Sequence, residues 1–151
     1  MKWVPQEVDF KQMVAEKIDG NHFTNHIGIQ ITSVEAGEVE AELNLEQYHM
    51  QQMDFVHGGV TATLADVVMG FAAFTLVKRG NGVVTVDLKT SYLNPGIGNK
   101  LFAKGYIIKA GSRLFFCEGE IYSRLPTGDL LIAKASSIMS VVTPEDLARA
   151  K

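Results

Sequence analysis

The stretch VHGGVTATLADVVMGFAAFTLVK, from Val56 to Lys78, decides how this chain is read. It is apolar on nearly every side, as a helix at the centre of a fold is. It opens with His57-Gly58-Gly59 and places a single carboxylate, Asp66, in its middle. The segment Gly59–Val77 has the length of a membrane span. Asp66, several threonines and the amphipathic stretches on either side favour a buried core helix instead.

Working outward, EVDFKQMVAEKIDG spaces Phe10, Met13, Val14, Lys17 and Ile18 at helical intervals, with Gly20 as a stop. IGIQITSV and EVEAELNLE read as strands. The second alternates strictly: Val39, Ala41, Leu43 and Leu45 face one way, and Glu38, Glu40, Glu42, Asn44 and Glu46 the other, so one face meets a core and one meets water. After the helix, KRGNG (Lys78–Gly82) supplies stop and turn chemistry. VVTVDLKTSYL, KLFAKGYIIKA, RLFFCEGEIYS and DLLIAKASSIMSVV follow as four strands, joined by NPGIGN, AGS and LPTG. Links this short predict antiparallel neighbours, because a parallel crossover needs a dozen or more residues. In the tail, Thr143 is a candidate N-cap with Pro144 at the first helical position.

Two strands, a long apolar helix and four more strands predict an α+β chain: one curved antiparallel sheet wrapped around the helix, the hotdog fold, with a second copy covering the rest. The 151 residues fit one domain, with residues 1–26 as a helical lead-in, 27–142 as the core and 143–151 as a tail. A net charge of −3 without a Lys/Arg block argues against nucleic acid as a partner. Cys117 is alone and MKWVPQEVDF lacks an apolar signal region, so the expected location is a reducing cytoplasm.

The glycines and the carboxylate carry the chemistry. A helix start leaves backbone N–H groups unpaired and partially positive, which suits an oxygen that gains negative charge during reaction. His-Gly-Gly alone equally suits a tight loop. Asp66, however, needs partners or a job in its apolar surroundings. It lies seven residues after Gly59, on the same face but roughly 10 Å along the axis, too far to serve the same bond. Two antiparallel helices about a two-fold axis bring the Asp66 of one copy towards the Gly58 of the other. The expected assembly is therefore a homodimer with shared sites, extended to a homotetramer (a dimer of dimers). Among competing constellations, His22, His26, His49 and His57 could be read as metal ligands, since His22 and His26 are four apart, but no Cys pair or His-Glu-x-x-His accompanies them and Gly20 argues against His22 and His26 sharing a helix. No metal is expected. Cys117 reads as a small buried residue in a strand, and Gly96–Gly98 as a turn.

VHGGVTATLADVVMGF followed by VVTVDLKTSYLNPG resembles the hotdog-fold acyl-CoA thioesterases of the phenylacetate-degradation (PaaI-like) branch, over about Ile27 to Val142. The resemblance implies hydrolysis of an acyl-CoA to a carboxylic acid and coenzyme A, which enters as part of the substrate and not as a cofactor. It implies Asp66 as nucleophile or general base, the Gly58 N–H on the thioester carbonyl, His57 supporting that loop, and Thr85 hydrogen-bonding the water or carboxylate. Where the family commonly has Asn six residues before the His, this chain has Gln51. The same amide on a longer arm is expected to hold substrate or water. Gly59, Asn94, Pro95, Lys109, Ser112 and Arg113 are implied as coenzyme A contacts, with Gly96 beside them. The alternatives are a hotdog hydratase or dehydratase, which also pairs His with a carboxylate across a dimer, and a non-catalytic acyl-CoA-binding protein.

Overall fold

Val39, Ala41 and Leu43 are all fully buried, while the glutamates between them face outward and pair with lysine and arginine. Glu42 meets Lys100 at 2.9 Å and Arg124 at 3.2 Å, and Glu38 meets Lys104 at 2.9 Å. Partly exposed pairs of this kind contribute less than about 1 kcal/mol each. Burial of the apolar face, at about 1.5–3 kcal/mol per large side chain, is what holds the strand in place.

The computed structural model describes residues 2–151. The elements are α1 (Phe10–Asp19), α2 (His22–Ile27), β1 (Ile29–Glu35), β2 (Glu38–Asn44), α3 (Gly58–Phe74), β3 (Gly82–Tyr92), β4 (Lys100–Ala110), β5 (Leu114–Leu125), β6 (Gly128–Val142) and α4 (Pro144–Arg149). The six strands form one antiparallel sheet in the order β1-β2-β4-β5-β6-β3, curved around α3: the α+β hotdog fold. No helix among the described residues is long and apolar enough to cross a membrane.

Helix α3 seats on a pair of glycines. Gly105 and Gly119 face one another across β4 and β5. A Cβ on Gly105 would stand 2.5 Å from the Val68 carbonyl carbon and 2.6 Å from the Met69 nitrogen. The sheet thus touches helix backbone there, which only glycine permits. Leu64, Ala65, Val68, Met69, Ala72 and Ala73 are fully buried on this side. On the other side, Gly59, Ala62, Thr63, Asp66 and Gly70 form a stripe that the chain's own sheet leaves partly open.

Three sequence expectations are corrected. The successive strands β3 and β4 are not neighbours: β3 pairs with β6 at the edge of the sheet, and β4 lies between β2 and β5. The NPGIGN link crosses the end of the sheet in steps, taking Leu93 N to Ile132 O (2.8 Å), Ile97 N to Ser123 Oγ (3.0 Å) and Asn99 O to Leu45 N (2.8 Å). Secondly, α3 ends at Phe74, ahead of the KRGNG turn. Thr75 Oγ1 donates to Ala72 O (2.7 Å) and accepts from Gly37 N (2.7 Å), tying that turn to the sheet. Thirdly, His22 and His26 do share a helix, because Asn21 starts a new one by accepting from Thr24 N. Both are exposed, and no metal-ligating cluster occurs among the described residues.

Candidate active site

The loop before α3 is held at both ends. His49 is fully buried, accepting from Glu46 N at Nδ1 (2.9 Å) and donating from Nε2 to Ile27 O (2.8 Å). Its carbonyl accepts from His57 N at 2.9 Å. Between them Met50 bridges Val56 and Gln51 N donates to Phe55 O (2.8 Å), closing a small hairpin whose tip, Asp54, has φ 61°. The crossing link pins the same loop: Val56 N donates to Gly96 O at 2.9 Å. A Cβ on Gly96 would stand 2.7 Å from that of Val56, so glycine is required for the contact.

This support delivers an ordered helix start. His57 is the N-cap of α3, extended at φ −61° and ψ 133°, and its Nδ1 accepts from Gly59 N at 2.9 Å. Val60 N donates to His57 O, but the Gly58 N–H has no acceptor among the described residues. A helix N-terminal donor left free beside a cleft is poised for a carbonyl oxygen. Tyr92 fixes the residue from the other side, its hydroxyl donating to Gly58 O at 2.7 Å, with a Cβ on Gly58 only 3.3 Å from the phenol ring. Gln51, Gly58, Tyr92, Asn94, Pro95 and Gly96 line one cleft of about 480 Å³.

Asp66 and Thr85 sit elsewhere. Thr85 Oγ1 donates to Asp66 Oδ1 at 2.7 Å, and both line a second cleft of about 280 Å³ with Val67, Phe71, Phe74 and Met139. The register between β3 and β6 slips between Thr85 and Asp87, a bulge that breaks the edge strand immediately after the hydroxyl. No residue lines both clefts. Eight residues of helix separate Gly58 from Asp66, about 12 Å along the axis.

Of the residues singled out from sequence, the structure joins Asp66 to Thr85 and gathers Gln51, Gly58, Asn94 and Pro95 around the other cleft, with His57 and Gly59 at its helix start. Gln51 is committed locally, its Oε1 accepting from Met53 N at 2.6 Å, and Asn94 Nδ2 donates to Leu131 O at 2.9 Å. Lys109, Ser112 and Arg113 lie at the β4–β5 turn outside both clefts, and Arg113 pairs with Asp146 at 3.1 Å. Cys117 is buried, which pushes its thiol up to about 12, far from a nucleophile's range.

A family model described as "Thioesterase superfamily" matches residues 53–127, the span from the site loop through β5. This chain belongs to the thioesterase superfamily. Human acyl-coenzyme A thioesterase 13 is 27% identical over 123 residues, covering 80% of this chain and 86% of that protein. A solved thioesterase family protein from Silicibacter pomeroyi superposes with a TM-score of 0.86 at 25% identity, over 89% of this chain and 98% of the other. A phenylacetic acid degradation-related protein from Ralstonia eutropha shares the fold, with a TM-score of 0.76 at 20% identity over 87% and 98% of the two chains. Thioester hydrolysis is thus the chemistry of this thioesterase, in preference to the hydratase alternative.

Sequence reasoning missed Tyr92, Phe71 and Phe74, which line the two clefts. The signal for Tyr92 is an aromatic that stays 55% exposed on a strand in the lone molecule. Its bond to Gly58 O joins residues 34 apart, which strand alternation does not reveal.

Proposed function

We propose that the protein hydrolyses an acyl-CoA thioester at a site made by two subunits, with Asp66 from one and the Gly58 N–H from the other. The observation that carries this reading is the division of the machinery between two clefts without a common residue. Each cleft holds half of what hydrolysis needs: a carboxylate with a hydroxyl partner in one, a free helix-start donor in the other. Antiparallel packing of the open Gly59–Ala62–Asp66–Gly70 stripe on its copy unites them. The unpaired edge of β3, with Val84 45% and Val86 59% exposed, offers the same axis a strand to pair.

In this site the thioester carbonyl oxygen accepts from Gly58 N–H and the carbonyl carbon faces Asp66. Thr85 occupies Oδ1 and leaves Oδ2 to take a proton from water, which attacks the carbon. Collapse of the tetrahedral intermediate breaks the C–S bond and releases the acid; the proton held by Asp66 passes to the coenzyme A thiolate, which leaves as the thiol and restores the carboxylate. A general-base role for Asp66 fits a cleft that holds no second carboxylate or imidazole of the same chain. The pantetheine arm occupies the cleft of Tyr92, Asn94 and Pro95, and the acyl group that of Phe71 and Phe74. The apolar outer patch of Ile108, Leu114 and Phe116, between 40% and 48% exposed, supports a dimer of dimers. The lone buried Cys117 suits a reducing cytoplasm.

A free-thiol release assay over short, long, aromatic and hydroxylated acyl-CoAs, run beside Asp66→Ala, tests this reading. Turnover by the native chain and its loss in the variant are expected. No turnover of any thioester, or full activity in Asp66→Ala, contradicts it.

A further inference from the structure

The cleft that holds Asp66 has a charged far end. Besides Phe71 and Phe74, it is lined by Lys17 from α1 and Asn21 from the α1–α2 junction, outside the stretch that the family model covers. The neighbouring cations are spoken for: Lys11 pairs with Glu35 at 2.7 Å, and Arg79 with Asp9 and with Glu16 (3.2 Å). Lys17 makes no ion pair among the described residues, and its Nζ stands 6.0 Å from the centroid of the Phe74 ring. Asn21 Oδ1 accepts from Thr24 N, and its Nδ2 donates to nothing among the described residues. One free ammonium and one free amide N–H therefore border a small cleft with an aromatic floor and a carboxylate at its other end.

The size narrows the ligand. At about 280 Å³ the cleft falls just under the roughly 300–1,000 Å³ of pockets for drug-sized ligands. In the dimer proposed above the second subunit packs over Asp66 and Gly70 and narrows this space further, so it takes a compact acyl group and not the coenzyme. With the carbonyl carbon at Asp66, the free end of that acyl group meets Lys17 and Asn21. Donors without internal acceptors favour an oxygen acceptor on the ligand, and a carboxylate most of all.

We infer that Lys17, with Asn21, selects compact acyl groups that carry an oxygen acceptor at the end remote from the thioester. The inference rests on the thioesterase reading above and adds the substrate class. Lys17 is a specificity residue that acts on binding and does not touch the reacting carbon.

The test compares kcat/KM for two matched pairs, adipoyl-CoA against hexanoyl-CoA and 4-hydroxybenzoyl-CoA against benzoyl-CoA, in the native protein, Lys17→Met and Lys17→Arg. The native protein is expected to prefer the oxygen-bearing member of at least one pair. Lys17 is exposed, so Lys17→Met should reduce that preference by no more than about fivefold, the upper end for an exposed ion pair. The change should fall on KM with kcat kept, and Lys17→Arg should restore it. Change in the first pair alone identifies a carboxylate, and in the second alone a hydroxyl; either supports the inference. Turnover with the same ratios in native and Lys17→Met protein, or a native preference for the unsubstituted members, overturns it and leaves the thioesterase reading standing. No turnover of any of the four, with another acyl-CoA hydrolysed, overturns the inference alone; the thioesterase reading falls only if no acyl-CoA is hydrolysed.

Discussion

Thr85 Oγ1 lies 2.7 Å from Asp66 Oδ1, tying the edge strand to the central helix across 19 residues of sequence. The bond takes up Oδ1, and Oδ2 makes no hydrogen bond among the described residues. Removing the bond with Thr85→Val should lower kcat by about 10- to 100-fold, less than the roughly 100- to 10,000-fold that a positioned general base itself supplies, because Asp66 remains. Thr85→Ser should retain most of the rate. Steady-state kinetics of the two variants decide it, and an unchanged kcat in Thr85→Val contradicts a role for the hydroxyl.

Tyr92 clamps the residue whose N–H receives the carbonyl oxygen. Tyr92→Phe keeps the ring against Gly58 and deletes only the 2.7 Å bond to its carbonyl. A bond of this class contributes about 1 kcal/mol, so kcat/KM should fall about fivefold while the melting temperature moves little. Equal kinetics in the two proteins show that the clamp is dispensable.

Gly105→Ala tests the packing that places α3. Its Cβ would enter the helix backbone at 2.5 Å, where no flexible side chain yields. Overpacking of this kind costs about 1–3 kcal/mol or more. For a chain of this size the melting temperature should drop by about 2–4 °C per kcal/mol. Gly80→Ala, at a site with no neighbouring atom within 4 Å but with φ +92°, is the control for backbone strain without a clash.

Alkaline pH should weaken the fold. Burial pushes the Cys117 thiol up to about 12, and the bond to Glu120 followed by burial does the same for the Tyr122 phenol. Unfolded, these groups lose protons near roughly 8.5 and 10. The folded chain therefore holds more protons than the unfolded one in this window, and stability falls as pH rises. It should be complete below about pH 8.5 and decline from there to about pH 12. Denaturant unfolding between pH 7.5 and 11 checks the sign. A shallower slope is expected for Cys117→Ala and Tyr122→Phe.

The parts of this structure that were legible in the sequence are those set by one segment. The alternation of β2 shows as Val39, Ala41 and Leu43, and the tail helix shows in Thr143 and Pro144, where Thr143 Oγ1 does accept from Asp146 N. Strand order was not legible, because alternation tells which face is buried and not which strand lies alongside. The end of α3 is set by Thr75 bonding Gly37, a contact across 38 residues that leaves no local mark. Tyr92 reaches Gly58 across 34 residues and was missed for the same reason. The family resemblance implies that Thr85 bonds either the water or the carboxylate, and in the structure its hydroxyl bonds the Asp66 carboxylate.

The shared site is the central claim, and subunit mixing tests it most directly. Gly58→Pro removes the N–H donor at a first helical position, where proline's fixed φ is tolerated. It is mixed with Asp66→Ala after partial unfolding and refolding of both. Each variant alone should be inactive. In an equal mixture half the dimers are mixed, and each of these carries one intact site of its two, so about a quarter of native activity should return. Mixtures as inactive as their parents, with mixed dimers shown to be present, contradict a site built from two chains.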